Sequence, residues 1–139
     1  MDWQDLATTS HYQTAVAVKD ELLKGNIEEA TAGIEELIEA LGRADKRALR
    51  SQLTRLMAHV IKWKTQSAQR RRSWVATIEN ARFEIEEMLE FEPSLKPLVP
   101  DLLTGMFGKA KRIAEKEMGQ ETTLTELSWP EVFDDDYSL

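Results

Sequence analysis

From residue 10 to residue 119 apolar side chains recur every three or four positions, and no segment sustains the period of two that a half-buried strand needs. The pattern predicts helices throughout. The first is centred on residues 10 to 24. Ser10 and Gln13 there have capping-box spacing, in which the hydroxyl takes one unpaired N–H and the amide reaches back. Ala15, Val18 and Leu22, with Tyr12 and Val16, form its apolar side, and Gly25 ends it by tolerating left-handed backbone. Trp3 and Leu6 are expected to pin a short leading turn to the bundle.

Asn26, with Glu29 at the third helical position, marks a second start. Ala30, Ile34, Leu37 and Leu41, broadened by Ile38, make an apolar stripe opposite Glu28, Glu35 and Glu39, and Gly42 is the expected stop. A third helix is expected from a cap at Asp45 to about Gln66. Its Leu49, Leu53, Leu56, Val60 and Trp63 have the spacing of a bundle seam. Ser67 is the expected cap of a fourth helix, where Trp74, Ile78, Ala81, Ile85 and Met88 repeat that spacing until Pro93. Two matched seams with a short connection predict an antiparallel hairpin. Ser94 caps an early turn that accepts Pro97, and the regular fifth helix begins at Pro100 and runs towards Gly119, with Leu102, Met106, Ala110 and Ile113 as its stripe. The remainder, residues 120–139, has six acids and no basic residue. Leu127, Trp129, Val132 and Phe133 are its expected anchors on the bundle. The expected architecture is an all-α, single-domain helical bundle of about five helices over residues 1–139, with a long antiparallel central hairpin.

Composition narrows the function classes. A chain of 139 residues has the length of one domain, able to bury about 70% of its unfolded surface. With no cysteine, disulfides, thiolate zinc sites and cysteine nucleophiles are excluded together, which fits a reducing compartment. The start MDWQDLATTS has no secretory pattern, and no apolar run approaches the ~18 residues of a membrane span, so the expected location is cytoplasmic, with no membrane partner. The net charge of -7 opposes wholesale binding to polyanions, yet it hides an asymmetry. Residues 43–72 carry ten basic side chains against the single acid Asp45, a balance of +9 that leaves −16 for the rest.

The stretches GIEELIEALGRADKRALRSQLTRLMAHVIKWKTQ, RRRSWVATIENAR, EPSLKPL and LSWPEVFDDDY together resemble the bacterial domain of unknown function family 29 over nearly the whole chain. The resemblance is most specific where HVIKWKTQ and SWVATI follow one another. Ser67 stands after Gln66, where the family usually has proline. The resemblance implies a small all-α fold and bacterial origin, frequent in cyanobacteria, and it implies no catalytic residue.

The residues themselves point the same way. His11 and His59 are the only histidines, and neither stands in a spacing that puts several metal ligands on one helical face. Gly105 and Gly108 lie within a helical stripe and form no phosphate loop, while Ser73 and Thr77 have no base beside them in the sequence. Neither a catalytic residue, a cofactor nor a metal is expected. His59 falls at the edge of its apolar stripe, and Trp63 and Trp74 occupy seam positions. The arginines therefore remain the functional part of this region. The expected function is a non-enzymatic interaction or regulatory module that binds a protein partner or itself. Lys62, Lys64, Arg70, Arg71 and Arg72 are its candidate anion or partner contacts. The alternative is nucleic-acid binding through the basic hairpin of residues 43–72. A third use for those cations is pairing with the chain's own acids on the second helix, the fourth helix and the tail. Ile61, Val75, Phe83 and Phe91 lie outside the narrowest seams and are candidates for additional contact surface.

Overall fold

The computed structural model describes all residues, 1–139, and is all-α. Five α-helices follow in order: α1 (Trp3–Thr9), α2 (His11–Leu23), α3 (Ile27–Thr65), α4 (Arg72–Phe91) and α5 (Val99–Met118). The chain divides into two compact units, Met1–Arg47 and Ala48–Leu139.

In the N-terminal unit, the Asp2 carboxylate accepts from the Asp5 N–H and so caps α1, while the Ser10 hydroxyl accepts from the Gln13 N–H and caps α2. Gly25 turns the chain out of α2 with φ 81°, a conformation that costs an L residue its Cβ clearance. Asn26 is not a side-chain cap. Its amide donates to the Glu21 carboxylate at 2.7 Å, and the Glu29 carboxylate instead accepts from the Trp3 indole at 2.9 Å. The core of this unit is small: Trp3, Val18 and Ala30 are buried, with Leu6 and Ala17 packed against them.

Two expectations for this unit are corrected. First, the chain does not stop at Gly42 and restart at Asp45, since α3 runs unbroken through both. Gly42 lacks the positive φ of a helix-ending glycine, and strong helix formers flank it, so one glycine's cost of ~1 kcal/mol is carried by the whole helix. Second, most of the apolar stripes on this segment do not face a core. On α2 the buried positions are Thr14 and Val18, whereas Tyr12, Val16 and Leu22 are exposed. On α3 Ala30, Gly33 and Ala40 turn inward, and Ile34, Ile38 and Leu41 turn out.

The C-terminal unit has the larger core. Leu49, Leu53, Leu56, Val60 and Trp63 of α3 and Trp74, Ile78, Ala81 and Ile85 of α4 are all buried in one cluster, the two seams of the antiparallel hairpin. Ile61 is fully buried as well, so it adds no free surface, and Val75 is half-buried; Phe83 and Phe91 remain exposed. Ser67 does not cap α4. It opens a 3-10 turn, Ser67–Gln69, and α4 starts at Arg72 with no side-chain cap from Arg71. A second 3-10 turn, Pro93–Leu98, takes up Pro97, with the Glu92 carboxylate accepting from the Ser94 N–H. α5 then begins with Pro100 in its first turn, where a missing N–H is harmless, and ends at Gly119 with φ 70°. Val99, Ala110 and Ala114 are its fully buried positions, with Leu102, Met106 and Ile113 half-buried against the same core.

Candidate functional site

The stretch from His59 to Arg72 holds both the tryptophans and the cations singled out from sequence, and the fold places them at the end of α3 and the start of α4. Val60, Ile61 and Trp63 are core. The polar residues between them reach other segments of the same unit. Lys62 is buried, its ammonium 2.7 Å from the Glu117 carboxylate and 5.1 Å from the centre of the Trp74 ring. Lys64 pairs with Glu131 at 2.5 Å. The hydroxyls of Thr65 and Thr122 are 2.8 Å apart, and the Gln66 amide donates to the side-chain oxygen of Gln120 at 2.8 Å.

The three arginines take different positions. Arg70 folds back: its Nε donates to the Trp63 carbonyl at 3.0 Å, and its guanidinium lies 4.4 Å from the centre of the Trp63 ring. That carbonyl belongs to the last turn of α3, where four C=O groups lack helical partners and the helix dipole favours a cation. Arg70 is thus a cap for α3 rather than an unfavourable charge at the start of α4. Arg71 stands 5.8 Å from the centre of the Trp74 ring, and Arg72 is exposed at the first position of α4. Neither makes an ion pair within this unit. The five candidate contacts are therefore brought to one end of the hairpin, but two of them already hold a carboxylate.

His59 is half-buried, its Nδ1 3.0 Å from the Arg55 carbonyl. Burial, which disfavours the charged ring, pulls its pKa below the usual value, with Lys62 adding to the effect. A neutral imidazole with Nδ1 protonated donates this bond and serves as a boundary group. No group of three or more histidine and acidic side chains is arranged to hold a metal ion, and no helix is long and apolar enough to cross a membrane.

The residues that sequence reasoning missed lie in the last twelve positions and on α4. Arg82 donates to the Val132 and Asp135 carbonyls, both at 2.8 Å, and its guanidinium lies 5.3 Å from the centre of the Tyr137 ring. Tyr137 is buried, edge-on to Trp63 at 5.7 Å, and its hydroxyl donates to the Glu131 carbonyl. Val132 is fully buried within the unit's core, whereas Trp129, named as an anchor, is partly exposed and packs on Phe133. A local signal for this arrangement was present in Ser128-Trp-Pro-Glu131. The Ser128 N–H donates to the Glu131 carboxylate and the Glu131 N–H to the Ser128 hydroxyl, a reciprocal capping box that opens the π-helical turn Pro130–Asp134. Hydrogen bonds from Lys64 and Ser128 hold the Glu131 carboxyl below the ordinary carboxylate range. Beside this segment a groove of about 400 Å³ runs between Leu103, Thr104 and Phe107 of α5 and Thr125, Leu127 and Trp129.

The model of the family described as "Domain of unknown function DUF29" matches residues 12–138. The chain belongs to the DUF29 family. No curated protein and no solved structure matches it. The match spans HVIKWKTQ, SWVATI and LSWPEVFDDDY, the stretches whose side chains hold the ends of α3, α4 and α5 and the C-terminal segment together in this DUF29 chain.

Proposed function

We propose that this protein is a non-enzymatic helical interaction module that binds a protein partner. The observation that carries the reading is the outward apolar face of the N-terminal unit. Ile27, Ile34, Ile38 and Leu41 of α3 are 67%, 45%, 63% and 43% exposed, and Tyr12, Val16, Leu22 and Leu23 of α2 are exposed as well. Single exposed apolar residues need no explanation, but a run of them at helical spacing beside a small core is the mark of an interaction surface. In the basic hairpin, Lys62 and Lys64 act within the chain through Glu117 and Glu131. Of the five candidate contacts, Arg71 and Arg72 are the two exposed cations left for an outside anion.

The test is a photo-crosslinking amino acid placed at Ile38 in the expressed protein, with the same group at the exposed Glu87 of α4 as control. A discrete protein adduct at position 38, absent at position 87, is the expected result. No adduct at position 38 would reject the apolar face as an interaction surface. The nucleic-acid reading is checked separately by anisotropy of labelled DNA and RNA at several salt concentrations. If Arg70, Arg71 and Arg72 contact phosphate, replacing them with glutamine flattens the salt dependence, whereas absence of binding at low salt removes that reading.

A further inference from the structure

We infer that the occupant of this face is a second copy of the chain, packed on α3 in antiparallel orientation about a two-fold axis at Ile38. The inference rests on the reading of the apolar face as an interaction surface and adds the partner's identity and orientation.

The exposed stripe is Ile27, Ile34, Ile38 and Leu41, and the half-buried Leu37 borders it. An isologous interface must be complementary to itself, so each group must meet its counterpart when the helix is turned end for end. Around Ile38 the sequence satisfies this. Ile38 meets its own copy, and Ile34 and Leu41, four residues before and three after, exchange places. Thr31 and Asp45, seven residues to either side, put a hydroxyl beside a carboxylate.

Charge selects the direction. Within the first unit, α3 carries Glu28, Glu29, Glu35, Glu36 and Glu39 before Arg43, Lys46 and Arg47. Glu28 and Lys46 are 18 residues apart, which at ~3.6 residues per turn is five whole turns, so they share one exposed flank of the stripe. In an antiparallel pair equal flanks face each other, and Glu28 of each copy comes against Lys46 of the other. In a parallel pair unlike flanks face each other, so Glu28 and Lys46 of the two copies would lie on opposite sides of the seam and form no such pairs. The one ion pair that the helix makes on itself in this unit, Arg43 with Glu39 at 3.7 Å, is long and exposed, and leaves Glu28, Glu35 and Lys46 without an ion pair there.

The experiment measures mass in solution with the full chain, by sedimentation velocity at micromolar to tens of micromolar concentration. Two-chain mass is expected for the wild type. Ile38→Asp, at an exposed position that leaves the fold and its circular dichroism unchanged, should return one-chain mass. Glu28→Lys and Lys46→Glu should each weaken association at least about tenfold, and an equimolar mixture of the two should restore two-chain mass through unlike pairs. Orientation is read by oxidation, which the absence of native cysteine makes clean. Ile38→Cys should link to itself, and Ile34→Cys should link to Leu41→Cys more readily than either links to itself.

One-chain mass for the wild type at all concentrations overturns the inference. If position 38 still crosslinks to another protein, the interaction reading survives with a different occupant; if it crosslinks to nothing, both fall. Dimers in which Ile34→Cys prefers its own copy overturn the antiparallel arrangement.

Discussion

At Gly33 a side chain decides how the N-terminal unit packs, and it does so by being absent. A Cβ built there would lie 2.7 Å from the Trp3 ring and 2.8 Å from a Val18 methyl, so the indole rests directly on the backbone of α3. Gly33→Ala is therefore expected to destabilise this unit by ~1–3 kcal/mol through overpacking, despite alanine's better helix propensity. Denaturation followed by Trp3 fluorescence, with the other tryptophans replaced by phenylalanine, checks it; an unchanged midpoint would mean that the indole is not seated there. In the C-terminal unit Arg82 has the comparable role. Its side chain donates two charge-assisted bonds to carbonyls of a segment whose regular structure is limited to the short π-helical turn Pro130–Asp134. Arg82→Met keeps most of the volume and leaves those carbonyls unpaired, with an expected loss of ~2–3 kcal/mol and faster proteolysis after residue 119. Neither role was legible in the sequence: a glycine in a helical run and an arginine on a helix face have no local feature that marks the long-range neighbour.

The length of α3 was misread for a related reason. Leu-Gly followed three residues later by Asp has the local form of a stop and a cap, but both remain optional unless the backbone reverses. Here Gly42 stays right-handed inside a helix of 39 residues. Nothing lies within 4 Å of a Cβ placed at Gly42. Gly42→Ala is accordingly expected to stabilise the protein by ~0.5–1 kcal/mol, measured as a raised urea midpoint with no change in slope. A loss of stability would show that glycine is needed there for bending or for a close approach by another chain. The stops at Gly25 and Gly119 were legible because each is followed by a break in the apolar spacing, and in both the structure has the left-handed backbone that favours glycine. The seams of α3 and α4 from Leu49 to Ile85 were also legible, since their repeating three-four spacing continues in both helices and each seam covers the other.

For the molecule as a whole, pH tests whether the buried and paired groups behave as the packing requires. His59 has a folded pKa below 6.5, so it is neutral when folded and the unfolded chain binds the extra proton. Its contribution to stability is present above pH ~6.5 and declines as pH falls through that value. Glu131, lowered from 4.5 by Lys64, adds a second decline at still lower pH, as its carboxylate is protonated and the ion pair is lost. Tyr137 acts at the other end. Burial raises its phenol to about 12, so the unfolded chain ionises first and stability falls as pH rises from 10 towards 12. Urea midpoints across pH are expected to form a plateau between about 7 and 10. Replacing His59 with glutamine should remove the decline near 6.5, and Tyr137→Phe should soften the alkaline one. A midpoint that is flat in both variants and wild type would show these groups to be solvated alike in the two states.

The all-α class, the family, the helix ends at Gly25 and Gly119 and the core seams of the hairpin were determined by the sequence itself. Each depends on neighbours within about two helical turns or on a repeated spacing, and such information is local. Only the tertiary structure decided which apolar stripes become core. Ile34, Ile38 and Leu41 have nearly the same spacing as Leu53, Leu56 and Val60, yet the first three stand outside and the second three are fully buried. Spacing determines that apolar groups share a face; whether that face meets water, the chain itself or another chain depends on what the fold brings opposite. The basic stretch shows the same division. Its charge was plain in the sequence, but only the fold brought Glu117 to Lys62 and Glu131 to Lys64, and so divided the cations between internal partners and the surface.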